Sequence, residues 1–352
     1  MKILVTGNMG YMGPGVVRQL RASFPQATLI GFDIGYFAHC LTTTSVLPEH
    51  QVDLQYFGDV RIISEETLKG VDAVVHLAAI SNDPMGKAFE EVTLEVNYKA
   101  SVSLASIAKK AGVPTFVFAS SCSVYGFAEE GAKTEKSEVN PLTAYARSKV
   151  FTERDLQPLA DENFKVTCLR FATACGMSDR LRLDLVLNDF VAGAFTSGKI
   201  SILSDGQPWR PLINVKDMAL AIEWAIGRST TEIGNYLVVN AGTQAWNYRV
   251  RELAEAVASV IPNVEIAINK EAPTDRRSYR VSFDLFKKLA PNYQPQYDLR
   301  KTIQELKYGL EALHFKDSNF RNSSLVRLNV LSLLREQRLI NEHLSWRDKE
   351  KS

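Results

Sequence analysis

The chain has no long apolar run. Nowhere in its 352 residues is there a stretch approaching the roughly 20 apolar residues of a bilayer-spanning helix. The opening MKILVTG reads as a strand, not as a basic-then-apolar leader. A cytoplasmic location with no membrane partner is expected. Cysteine is scarce. Cys40, Cys122, Cys168 and Cys175 form no C-x-x-C pair and the five histidines are scattered, so neither a disulfide framework nor a metal site is expected. An excess of one charge is missing too: 41 basic residues face 40 acidic ones, which argues against a nucleic-acid partner. Internal repeats and low-complexity tracts are absent. What is left is a globular chain, 45% hydrophobic and 23% charged, long enough for a large core.

What is present is an alternation of strands and helices. Apolar runs of strand length fall at Ile3–Val5, Thr28–Phe32, Ala73–Leu77, Thr115–Ala119 and Val166–Phe171, with helical patterns such as Gly15–Ser23 and Val96–Ala111 between them. Runs without polar alternation suit strands buried on both faces, hence a parallel sheet with helices on each side. The expected fold is α/β, a doubly wound parallel Rossmann sheet with a smaller interleaved C-terminal substrate domain. Residues 1–177 and 212–241 are assigned to the sheet domain, and 178–211 and 242–352 to the second domain with a helical extension. In that extension Leu325, Leu328, Leu331 and Leu334 recur at helical spacing.

The first strand runs into GNMGYMG, which places Gly7, Gly10 and Gly13 before a helix. Glycines there let the backbone approach a pyrophosphate, and the helix N-terminus faces the anion. The next strand ends at Asp33, twenty residues past Gly13. A carboxylate in that place accepts from both ribose hydroxyls and repels a 2′-phosphate, favouring NAD over NADP. Asp59 ends a third strand and is a candidate for the adenine amino group, with Val60 beside it.

The second constellation is AYARSKVFTE. Tyr145 and Lys149 are four apart and share one helix face. A phenol is a poor base at neutral pH; a neighbouring ammonium favours phenolate and is expected to lower its pKa. The preceding strand ends in FASSCSVYG and sets Ser120, Ser121, Cys122 and Ser123 at the C-terminal edge of the sheet.

Together GNMGYMG, HLAA (76–79), SSCSVYG (120–126), YARSK (145–149) and RPLINVKDMA (210–219) resemble the extended short-chain dehydrogenase/reductase superfamily, in particular its nucleotide-sugar epimerase/dehydratase branch, over about residues 1–285. The resemblance implies that Tyr145 is the acid/base, that Lys149 holds the cofactor and tunes the phenol, and that Ser121 bonds the reacting sugar oxygen. It implies a cofactor pocket that adds Tyr11, Met12, Leu77, Ala78, Ala79, Ala119 and Phe171, steadied by Asn97. On the substrate side it implies Ser81, Cys122, Ser123, Thr173, Arg182 and Asn188. Arg210 and Arg277 would bind the substrate diphosphate, with Arg276 and Arg280 as alternatives to Arg277. The family often dimerises through two helices, here those around Val96–Ala111 and Tyr145–Asp161, so a homodimer is expected.

The resemblance also implies hydride removal from sugar C4. Dehydratases of the family follow the catalytic Ser or Thr with Asp-Glu, and this chain has Cys122-Ser123 there. The expected activity is therefore an NAD-dependent nucleotide-sugar epimerase working through a 4-keto sugar, most simply at C4. Alternatives are an NDP-4-ketosugar reductase, a dehydratase, a redox enzyme acting on a lipid, and a catalytically silent nucleotide-binding scaffold. Two features stay open. Cys122 is either an acid/base or an inert thiol. Arg180 and Arg182 in the 178–190 loop either read an unusual sugar or form local ion pairs.

Overall fold

Each short apolar run named above becomes a strand, and together they build one sheet. A computed structural model describes residues 1–42, 46–269 and 277–347 of the chain. Its main sheet has seven strands, in spatial order Tyr236–Ala241, Lys165–Phe171, Thr115–Ser121, Ala73–His76, Lys2–Thr6, Thr28–Asp33 and Leu54–Phe57. Every pairing in it is parallel. The strand order reverses direction between Lys2–Thr6 and Ala73–His76, the switch point at which a crevice opens in such sheets. Both faces are apolar and covered. One cluster gathers Ile3, Val5, Val117 and Leu169 under the helices Gly13–Ser23 and Val215–Gly227; the other gathers Leu4, Val74, Phe116 and Val166 under Ala100–Lys110.

A second core lies beyond the strand ends. Leu187, Val191, Leu253, Val257, Ile303 and Leu306 knit the helices Val186–Ser197, Val250–Val260 and Leu299–Ala312 together. Two small sheets join this half to the first, Thr173–Cys175 with Trp209–Asn214 and Asn247–Arg249, and Phe127–Lys133 with Ser278–Val281; a third, Lys199–Ile202 with Glu265–Ile268, lies within the second half.

The helix of the C-terminal segment is confined to Arg327–Glu336. Val330, Leu331, Leu334, Ile340 and Leu344 pack with Ile80, Met85, Phe89 and Val92, against Tyr36 and Phe37. By contact, then, the end of the chain packs against residues of the sheet domain. Hydrophobic spacing predicts that a helix forms; it does not say which apolar groove the helix finds.

Candidate active site

The crevice at the switch point is built from backbone first. Gly7 adopts φ +74°, and a Cβ there would sit 2.6 Å from Ala78 N, so strand ends meet with no room for a side chain. Gly7, Gly10, Tyr11 and Met12 line the cleft. Gly13 does not: a Cβ there would lie 1.9 Å from Asn8 O, so it serves to pack the helix onto the loop. Asp33 faces the cleft at its strand end and accepts from Met9 N at 3.0 Å and Gly35 N at 2.8 Å. Burial raises its pKa even so. A ribose diol would add donors to a carboxylate that burial has left short of them.

Asp59 and Val60 reach the same cleft. The Asp59 carboxylate is engaged by Arg61, whose Nε donates to both of its oxygens at 3.0 and 2.9 Å. Leu77, Ala78, Ala79 and Ser81 form the opposite lip. Asn97 is set behind them rather than on the surface of the cleft. It accepts from Ile80 N and donates to Ile80 O at 2.8 and 2.9 Å, which clamps that lip. Asn97 lies in a π-helical turn, Glu95–Lys99, inside what reads from sequence as one continuous helix.

The catalytic face lies where Thr115–Ser121 ends against the helix Ala144–Leu156. Thr143 caps that helix through Ala146 N and donates to Asp83 Oδ1 at 2.7 Å. Tyr145 and Ser121 face the same cleft, and the Ser121 hydroxyl accepts from Ser123 N at 3.1 Å. Lys149 donates to Ala119 O at 2.7 Å, with Nζ 5.5 Å from the Tyr145 ring centroid. Ala119, Phe171 and Thr173 complete this wall. The expectation of a lowered phenol pKa is not met in the protein alone. Burial pushes Tyr145 up to about 12, with Ser121 pulling the other way, and pushes Lys149 down to about 8. Desolvation outweighs the neighbouring charge because the ammonium points at a carbonyl and not at the phenol oxygen.

Several expected substrate residues sit elsewhere. Cys122 is buried with its thiol on Arg170 O at 3.1 Å, and burial raises its pKa, so it is a packed thiol and not a group in the cleft. Ser123 has a buried hydroxyl with no partner, and it does not line the cleft. Cys175 is packed in the second core. Asn188 is fully buried; it accepts from Gly176 N and donates to Arg182 O at 2.9 Å each, so it fastens the loop rather than meeting substrate. Arg277 pairs with Asp83 at 2.8 Å on the rim. Arg210 lies in the strand Trp209–Asn214, with its Nη1 donating to Trp209 O at 2.9 Å. Arg276 lies outside the described residues.

The loop arginines are not solvated. Arg180 is buried against Glu49 at 2.7 Å. Arg182 is buried in the cleft wall, paired with Asp184 at 2.8 Å and donating to Ser81 Oγ at 2.9 Å. Sequence reasoning missed Glu153, which continues the Tyr145–Lys149 stripe by one more turn. It pairs with Arg170 at 2.6 Å and accepts from Ser120, a buried network directly under the catalytic strand. It also missed Tyr36, Phe37, Arg327, Leu331 and Leu344 in the cleft wall.

A glycine turn, a ribose-height carboxylate and a Ser–Tyr–Lys set around one crevice therefore fit a dinucleotide and a hydroxylated substrate. Comparisons with known proteins agree. The NAD dependent epimerase/dehydratase family matches residues 3–242. The chain is 28% identical over 267 residues to YtcB of Bacillus subtilis, described as an uncharacterized UDP-glucose epimerase, covering 73% of this chain and 82% of that one. It is 27% identical over 228 residues to a UDP-glucose 4-epimerase of Lactobacillus helveticus, covering 62% of this chain and 67% of that one. Among solved structures, MoeE5 in complex with UDP-glucose and NAD superposes with a TM-score of 0.74 at 25% identity, covering 89% and 99% of the two chains. The chain is an NAD-dependent enzyme and belongs to the NAD dependent epimerase/dehydratase family.

Proposed function

We propose that this enzyme is a nucleotide-sugar 4-epimerase acting through a 4-keto sugar. The observation that carries the reading is the gathering of Ser121, Tyr145 and Lys149 in one cleft at the sheet edge, with the following Cys122 thiol turned away onto Arg170 O. The strand thus delivers one acid/base pair and no second acid for elimination. The relatives' descriptions as UDP-glucose epimerases support the same substrate class.

The chemistry divides simply. When bound, the nicotinamide ring accepts the hydride from sugar C4 and gives it back. Tyr145 takes the C4 hydroxyl proton as hydride leaves, producing the ketone, and returns the proton as hydride comes back on the opposite face. Ser121 holds the oxygen, and Lys149 anchors the nicotinamide ribose. Arg210 and Arg277 hold the diphosphate while the sugar turns over between them and the ring. The enzyme works as a homodimer through the helices Ala100–Lys110 and Ala144–Leu156.

The test is incubation of purified enzyme with UDP-glucose, followed by chromatography for the C4 epimer and absorbance at 340 nm. Epimer formation without net change at 340 nm is expected, and Tyr145→Phe should lower kcat by about 10²–10⁴-fold. Steady consumption of NADH with a 4-ketosugar would make the enzyme a reductase instead.

A further inference from the structure

Four arginines gather in and behind the cleft wall, and three of them are met by carboxylates. Arg61 is met by Asp59, Arg180 by Glu49 and Arg182 by Asp184. Arg327 also lines the cleft, is only 1% exposed, and has no carboxylate within ion-pair reach among the described residues. Its Nη1 donates to Ser324 O at 2.9 Å, and its Nη2 to Arg180 O and Leu181 O at 2.9 and 3.1 Å. Its guanidinium carbon lies 5.0 Å from the centroid of the Phe37 ring. Carbonyl dipoles orient a guanidinium but do not neutralise it, and a buried cation without an anion is costly. Burial lowers its pKa to about 10, with the nearby Arg182 and Arg180 adding to the strain.

The position of Arg327 says which anion it awaits. It comes from the C-terminal helix, and the residues after that helix are tied to the cofactor strands. Trp346 Nε1 donates to Ile34 O, next to Asp33, at 2.7 Å. Arg61, partner of Asp59, donates to His343 O at 2.8 Å and Ser345 Oγ at 2.9 Å. Tyr36 OH donates to Leu344 O. Arg277, by contrast, pairs with Asp83, whose other oxygen takes the hydroxyl of Thr143, two residues before Tyr145. Two diphosphates meet this enzyme, and Arg327 sits at the dinucleotide's end.

We propose that Arg327 is a phosphate-binding residue of the cofactor site, neutralising the NAD pyrophosphate together with Arg182, and that residues 323–347 form a wall of that site. Arg182 then serves the cofactor and not the sugar. The inference rests on the NAD site and is independent of which sugar is turned over.

The experiment measures release of NAD from loaded enzyme after dilution, in Arg327→Gln and Arg327→Lys, with KM for UDP-glucose as the second readout. Loss of a charge-assisted contact should speed release about 10–100-fold in the Gln variant. Lys keeps the charge but cannot make the same carbonyl contacts, so it should release NAD within about threefold of the parent while melting at a lower temperature. KM for UDP-glucose should stay within about twofold in both. Equal NAD release in Gln and Lys, or a raised KM with unchanged NAD release, overturns the proposal. If the Gln variant does not fold, Arg327→Met takes its place: release about 10–100-fold faster than in the Lys variant supports the assignment, and equal release in the two overturns it.

Discussion

At the scale of single residues, the catalytic pair is set against itself in the protein alone. Tyr145 must give up a proton to act as base, yet burial holds it near 12; Lys149 must keep its proton to hold a ribose and favour phenolate, yet burial brings it near 8. The signs of these shifts predict a pH profile. As pH rises from 6 the phenolate fraction grows, so kcat/KM should climb by up to about tenfold per unit. Above about 8 Lys149 loses its charge and the climb should stop. A Lys149→Met variant, measured over the same range, should lack the break; a break that survives in it would assign the titration to another group. That Tyr145, Lys149, Ser121, Asp33, Gly7 and Gly10 share one cleft is legible because such chemistry demands fixed spacing on one helix or one strand end. Cys122 and Asn188 were not, since spacing does not say whether a side chain turns into a crevice or away from it. On a strand end a single residue decides that.

Among the elements, the least legible is the π-helical turn Glu95–Lys99. The apolar pattern from Val96 to Ala111 fits one α-helix, and nothing in hydrophobic periodicity marks an inserted residue. Its chemical trace is Asn97, a polar residue buried in full within a helix, whose amide holds both backbone groups of Ile80. The carbonyl of Asn97 is met by Thr152 Oγ1 at 3.0 Å and Ser101 Oγ at 2.7 Å. The turn therefore braces the lip of the cofactor cleft from behind. Asn97→Leu should leave Ile80 N–H and C=O unpaired, at a cost of about 1–3 kcal/mol for each group. Urea denaturation should show the lost stability, and the variant should purify with less NAD. Full NAD content with normal stability would show that the lip needs no brace.

At the scale of the whole molecule, fold class followed from run length and the lack of polar alternation, while the path of the chain end did not. A helix that is apolar on one side can close any apolar groove, and Leu331 and Leu334 found the one beside Met85 and Phe89. The proposed dimer face can be tested at this scale. Tyr98, in the turn Glu95–Lys99 that leads into Ala100–Lys110, and Phe151 on Ala144–Leu156 stack edge to face at 5.5 Å and remain partly open to solvent. Phe151→Glu should give a monomer in sedimentation velocity with NAD still bound, and a persisting dimer would place the interface elsewhere. The return of the tail to the cofactor strands also imposes an order in time. Ile34 and Trp346 are joined by a hydrogen bond yet lie 312 positions apart. At about 5–20 residues per second, the ribosome adds the closing wall roughly 15–60 s after it has made the strand that reads the ribose. Until then a nascent chain has a nearly finished sheet and an open dinucleotide cleft, so cofactor capture belongs to the last act of synthesis.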